Sequence, residues 1–195
     1  MVATPIKPSK WEKIPAAKAA VQAEWDKLRK LGCWDPASVS ELAQVKNKAL
    51  AEGKKIHVGR IFELCVEKHS ELPPEQRKYK GRVVFQGNNV QDESGLSAVF
   101  ADQGSSASFV STSKVLDIIS MLPGCKGGQT DAPSAYTQAL LYEGDPKGYV
   151  ETWVILPESQ RPPGWSKFKT PVVKLLLALY GHPESGTFWE SVTSR

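Results

Sequence analysis

Asp131 stands in the string Gln-Thr-Asp-Ala-Pro-Ser-Ala-Tyr, which ends at Tyr136, and its carboxylate is the group on which chemistry would centre. Phosphoryl and nucleotidyl transfer needs carboxylates that hold divalent metals against phosphate oxygens, and cations that neutralise a polyphosphate. The spacing predicts a helix that begins just after Asp131, carries Pro133 in its first turn and runs through Leu141. A carboxylate at such a junction sits beside the free amides and positive dipole end that favour anions. Tyr136, five residues on, reaches the same opening. Asp is also among the best helix N-caps, so the placement supports a purely structural role as well.

Cations come from the segment Lys-Tyr-Lys-Gly-Arg-Val-Val-Phe over 78–85, the clearest strand pattern in the chain. Alternation sends Lys78, Lys80, Arg82 and Val84 to one face, and Tyr79, Gly81, Val83 and Phe85 to the other. Arg82 has the planar fork that suits bidentate phosphate contact, and Arg77 extends the basic patch. Solvated charges that keep an edge strand from aggregating give the same pattern. Tyr149, Trp153, Trp165 and Trp189 offer rings for base stacking, although such residues more often serve a core. Cys65 and His69 are two zinc-type ligands without a second pair, a thin basis for a metal site.

The elements that position these groups follow from periodicity. Residues 1–15 are rich in Pro and Lys and read as a loose leader. Ala20, Val21, Trp25, Leu28 and Leu31 recur at helical spacing over 16–31, and Gly32 stops the run. A second helix is expected over 38–52, a strand over 55–68, and a turn at Leu72-Pro73-Pro74. Residues 87–113 read as loop, and 115–122 as a short helix with Val115, Leu116, Ile118, Ile119 and Leu122 inward. A turn at Gly144-Asp145-Pro146 leads into a strand over 149–156. A Pro-rich loop over 160–164 then precedes a buried strand or helix entry over 172–179 and a turn over 181–185.

Composition narrows the class. With 41% hydrophobic and 24% charged residues the chain is an ordinary globular sequence, and its net charge of +4 permits a phosphate or nucleic-acid partner without requiring one. The best apolar run, 172–180, is broken by Lys174, so no membrane partner is expected. Cys33, Cys65 and Cys125 form an odd, scattered set that favours an intracellular, reducing compartment, nucleus and cytoplasm not being distinguished.

Four motifs, taken in order, resemble the reverse transcriptase domain of copia-type long-terminal-repeat retrotransposons. They are Glu24-Trp25-x-x-Leu28-x-x-x-Gly32-x-Trp34, Lys80-x-Arg82-Val83-Val84-x-x-Gly87, Gln129-x-Asp131-x-x-x-Ala135-Tyr136 and Leu175-x-x-Ala178-Leu179-Tyr180-Gly181, with Trp189 shortly after. The resemblance spans residues 16–190. It implies a right-hand polymerase in which Lys80 and Arg82 lie in the fingers near the incoming deoxynucleotide. It further implies that Asp131 is the first palm carboxylate for magnesium and that Ala132 offers that metal a backbone contact. Tyr136 would screen the sugar 2′ position, and Tyr180-Gly181 would open the segment facing template base and nucleotide.

The family completes its metal site with a Tyr-x-Asp-Asp hairpin beyond the Tyr-Gly motif, and no such motif occurs before Arg195. The expected fold is therefore α+β: part of a right-hand polymerase, fingers plus an incomplete palm, built on an antiparallel or mixed sheet with packed helices. Residues 16–72 would lead into the fingers, and 73–195 would form the fingers and partial palm. The expected function is that of a fragment of an RNA-directed DNA polymerase, with an RNA or DNA template-primer and a deoxynucleotide as partners. Such a fragment would bind magnesium weakly and would not polymerise alone. A non-catalytic remnant that binds nucleic acid or protein through its basic strand is the alternative.

Overall fold

The computed structural model describes residues 2–100, 110–128, 131–141 and 150–193. The fold is α+β, with one six-stranded mixed sheet and, among the described residues, five α-helices. The strands are β1 (Ala3–Ile6), β2 (Trp34–Glu41), β3 (Ile56–Lys68), β4 (Lys78–Phe85), β5 (Glu151–Ile155) and β6 (Pro171–Leu175). Hydrogen-bonded neighbours run β1-β3-β5-β6-β2, and β4 pairs with β3 alone. Among the described residues only the β3–β5 pairing is parallel. β3 is the long backbone of the sheet: residues 56–60 bond to β5, and residues 61–68 bond to β4 in the register Leu64 opposite Arg82.

Two helices flank the sheet. Helix α2 (Pro15–Leu31) starts on a proline in its first turn, carries Arg29 and Lys30 in its last, and ends at Gly32 with φ 69°. It buries Ala17, Val21, Trp25 and Leu28 against Ile61, Cys65, Val83 and Phe85 in the main core. Helix α3 (Leu42–Glu52) buries Val45 and Ala49 against Ile56, Val58 and Val172. Ile56 and Val58 alternate with Ile61 and Cys65 along β3, so the two helices cover opposite faces. Among the described residues no helix is long and apolar enough to cross a membrane.

Several expectations require correction. The segment read as a loose leader contributes β1, laid along β3, and α1 (Pro8–Trp11), whose Trp11 is buried. The helix expected from residue 38 begins only at Leu42, because Ser40 and Glu41 first pair with β6 and the Glu41 carboxylate accepts the amides of Lys169 and Thr170. Helix α4 (Val110–Ser120) exists, but Val115, Leu116, Ile118, Ile119 and Leu122 are exposed rather than inward. The turn at Gly144–Pro146 and Tyr149, the start of the expected strand, fall outside the described residues. Of the remaining stacking candidates, Trp165 is buried and Trp153 is partly buried on β5.

Candidate functional site

Four separate stretches of sequence meet in a cleft of about 320 Å³. Helix α2 supplies Glu24, Lys27 and Leu28, β4 supplies Lys80, Arg82 and Val83, and the remaining wall is residues 131–134, Thr137, Leu179 and Tyr180. Each stretch is fixed by backbone contacts.

At Gly81 the strand presses directly on α2: an added Cβ would stand 2.5 Å from the carbonyl oxygen of Ala20 and from Cα of Val21. Only glycine permits this approach, and it brings Glu24, one helical turn on, to the cations of β4. The Tyr180 segment is held to the end of β4 by the hydrogen bond from Phe85 N–H to the Tyr180 carbonyl, 2.8 Å. Gly181 follows with φ 88°, its Cα pressed toward the Phe85 carbonyl, while Gly87 packs against the Gly181 carbonyl.

The Asp131 segment is tied down at its far end, where Ala178 N–H donates to Ala139 O at 2.9 Å and Leu141 N–H to Leu176 O at 3.0 Å. The helix expected after Asp131 is absent. In its place Ser134 adopts φ 57°, and a four-residue 3-10 turn, Ala135–Gln138, follows. Thr137 secures that turn by donating both its amide and its hydroxyl to the Ser134 carbonyl, at 3.0 and 2.8 Å. A helix N-terminus therefore does not act on the cleft, and Asp131 is not a helix N-cap.

Of the residues singled out from sequence, Lys80, Arg82, Asp131, Ala132 and Tyr180 all line the cleft. Tyr136 and Gly181 support it. The Tyr136 ring packs against Tyr180 with centroids 4.7 Å apart, and Gly181 provides the turn that sets Tyr180. Arg82 lies with its guanidinium carbon 6.0 Å from the Tyr180 ring centroid. Arg77 does not extend the patch, because it is engaged with Glu67 at 3.6 Å and with the Leu72 carbonyl at 2.8 Å.

The electrostatics are those of a cation cluster. Partial desolvation, then the neighbouring charges of Arg82 and Lys68, hold the Lys80 ammonium below its ordinary range. Lys27 adds a third cation, bonding the Ser134 hydroxyl, and Glu24 stands between Lys27 and Arg82 at 3.8 and 4.0 Å. Sequence reasoning assigned Lys27 and Glu24 no role. Their signal was the one-turn spacing on the flank of the apolar stripe of α2, which is also the pattern of an ordinary surface ion pair.

The residues present do not fit a pair of magnesium ions. Among the described residues no three His, Cys, Asp or Glu side chains gather as a metal cradle, and the two carboxylates of the cleft, Asp131 and Glu24, share it with Lys27, Lys80 and Arg82. This donor set suits an anion. Comparison of the chain with protein-family models, with curated proteins and with solved structures gives no match in any of the three.

Proposed function

We propose that this chain is the fingers and front part of the palm of a copia-type reverse transcriptase, and that its cleft binds the polyphosphate of a deoxynucleoside triphosphate. The reading rests on the convergence of Lys80, Arg82, Asp131 and Tyr180, which sequence motifs alone had singled out, around one cleft. Lys80 and Arg82 neutralise phosphate oxygens, with Arg82 offering the bidentate fork. The exposed edge of Tyr180 meets the sugar or base, and Tyr136 holds that ring in place. With Asp131 as its one palm-type carboxylate, and the cleft's other carboxylate, Glu24, set between Lys27 and Arg82, the chain by itself binds the nucleotide without joining it to a primer.

Calorimetric titration of a deoxynucleoside triphosphate into the purified chain tests this. Binding that strengthens at low salt and weakens by about a hundredfold in Lys80→Glu with Arg82→Glu is the expected result, since two attractions become repulsions. Absence of binding, or binding indifferent to that double change, overturns the proposal. Primer extension abolished by Asp131→Asn would overturn the non-polymerising part alone.

One observation favours a second reading, that of a remnant that binds single-stranded nucleic acid without chemistry. Phe62 and Leu64 are exposed on β3, opposite Val84 and Arg82 of β4, so apolar surface adjoins cations as in strand-binding grooves. Salt-sensitive capture of a single strand, lost in Phe62→Ala while triphosphate binding persists, would support it.

A further inference from the structure

Two carboxylates line the cleft, Asp131 and Glu24, and Glu24 is the one that stands between Lys27 and Arg82. A carboxylate in a site of three cations lowers the very potential that attracts phosphate, and its side chain is only 15% exposed. Neither of its pairings is tight. Lys27 and Arg82 stand 3.8 and 4.0 Å away, beyond hydrogen-bonding distance, and the Lys27 ammonium spends a hydrogen bond on Ser134 instead. The helix that carries Glu24 cannot retreat, because α2 is seated on Gly81 one turn earlier. Glu24 thus sits where a phosphate would sit, attracted by the same groups and loosely bound by them.

We infer that Glu24 is a built-in competitor for the polyphosphate, and that Lys27 is the third phosphate-binding cation of the cleft. This deepens the proposed function and rests on it. In the free protein the Glu24 carboxylate screens Lys27 and Arg82 from each other, which lets two cations approach without a ligand. An arriving triphosphate carries more charge than one carboxylate and displaces it, so both cations pass from Glu24 to phosphate oxygens. The internal carboxylate sets a threshold: polyphosphates outcompete it, and singly charged anions do not.

Inorganic tripolyphosphate, which has no base or sugar, isolates this effect. In Glu24→Gln its affinity should rise by about tenfold at low salt, and the gain should shrink at high salt as a charge effect must. Acetate or chloride, poor competitors of tripolyphosphate in the native chain, should compete measurably in Glu24→Gln. Lys27→Gln should weaken tripolyphosphate by about tenfold, and its 42% exposed side chain makes it a safe substitution should Glu24→Gln fail to fold. If the native chain binds tripolyphosphate and Glu24→Gln binds no more tightly, or Lys27→Gln binds equally well, the inference is overturned while the proposed function stands. If neither the native chain nor Glu24→Gln binds tripolyphosphate or a deoxynucleoside triphosphate, both fall together.

Discussion

Gly181 decides at a single residue whether Tyr180 faces the cleft. Its φ of 88° lies where side chains are strained, and a Cβ there would collide with the Phe85 carbonyl, a backbone atom that cannot swing away. That carbonyl belongs to the residue whose amide bonds Tyr180, so relief of the clash must break the bond that sets the ring. Gly181→Ala should therefore cost about 2 kcal/mol or more in urea unfolding, combining left-handed strain with the contact. It should also weaken triphosphate binding more than a substitution of equal cost remote from the cleft. Equal stability in Gly181→Ala would show that the turn has another conformation open to it.

The helices and strands show which physical signals a sequence carries. Helix α2 was legible almost to the residue from its apolar stripe and the closing Gly32, which are local features, although its opening Pro15 was assigned to the leader. β4 and its two faces were legible as well: Gly81, Val83 and Phe85 are buried, while Lys80 and Arg82 reach the cleft. The turn after Asp131 was not. Asp-Ala-Pro satisfies every local rule for a helix start, but the pairing of residues 139–141 with 176–178 draws the chain out after one 3-10 turn. α4 failed for the opposite reason: its apolar period is strong, yet a period says which residues share a face and not what covers it. The cleft residues Lys80, Arg82, Asp131, Ala132 and Tyr180 stood out as candidates from their motifs, whereas Glu24, though inside a motif, and Lys27 needed the approach of α2 to β4 to acquire a role. That approach is testable at Gly81. Gly81→Ala places a methyl 2.5 Å from helix backbone, so α2 must shift. The expected cost is about 1–3 kcal/mol in thermal unfolding, with weaker triphosphate binding as Lys27 parts from Arg82. A substitution that leaves both unchanged would mean the helix already has room.

For the molecule as a whole, a buried histidine couples folding to pH. His182 joins the Tyr180 turn to the core, with its ring 4.9 Å from Phe85 and close to Phe100 and Phe188. Its Nδ1 accepts the amide of Glu184 at 3.2 Å, which leaves Nε2 as the protonated nitrogen, 3.4 Å from the Thr152 hydroxyl. Burial, with a smaller push from His57, lowers its pKa from 6.5 to about 3. His57, also buried, is lowered in the same direction, chiefly by burial. Between those two values the unfolded chain takes up a proton at residue 182 that the folded chain refuses. Stability is therefore undiminished above the unfolded pKa of 6.5 and falls as pH drops toward 3. Glu184 works in the opposite sense: burial raises its folded value, so its contribution falls as pH rises past 4.5. The histidine effect prevails from neutrality downward because its shift is the larger. Going from pH 7 to pH 5, His182 alone should remove about 2 kcal/mol from the unfolding free energy in urea. His182→Gln, lower in stability at neutrality, should lose much of that slope and keep only the smaller, opposed parts due to His57 and Glu184. A slope unchanged by the substitution would place the acid-sensitive group elsewhere.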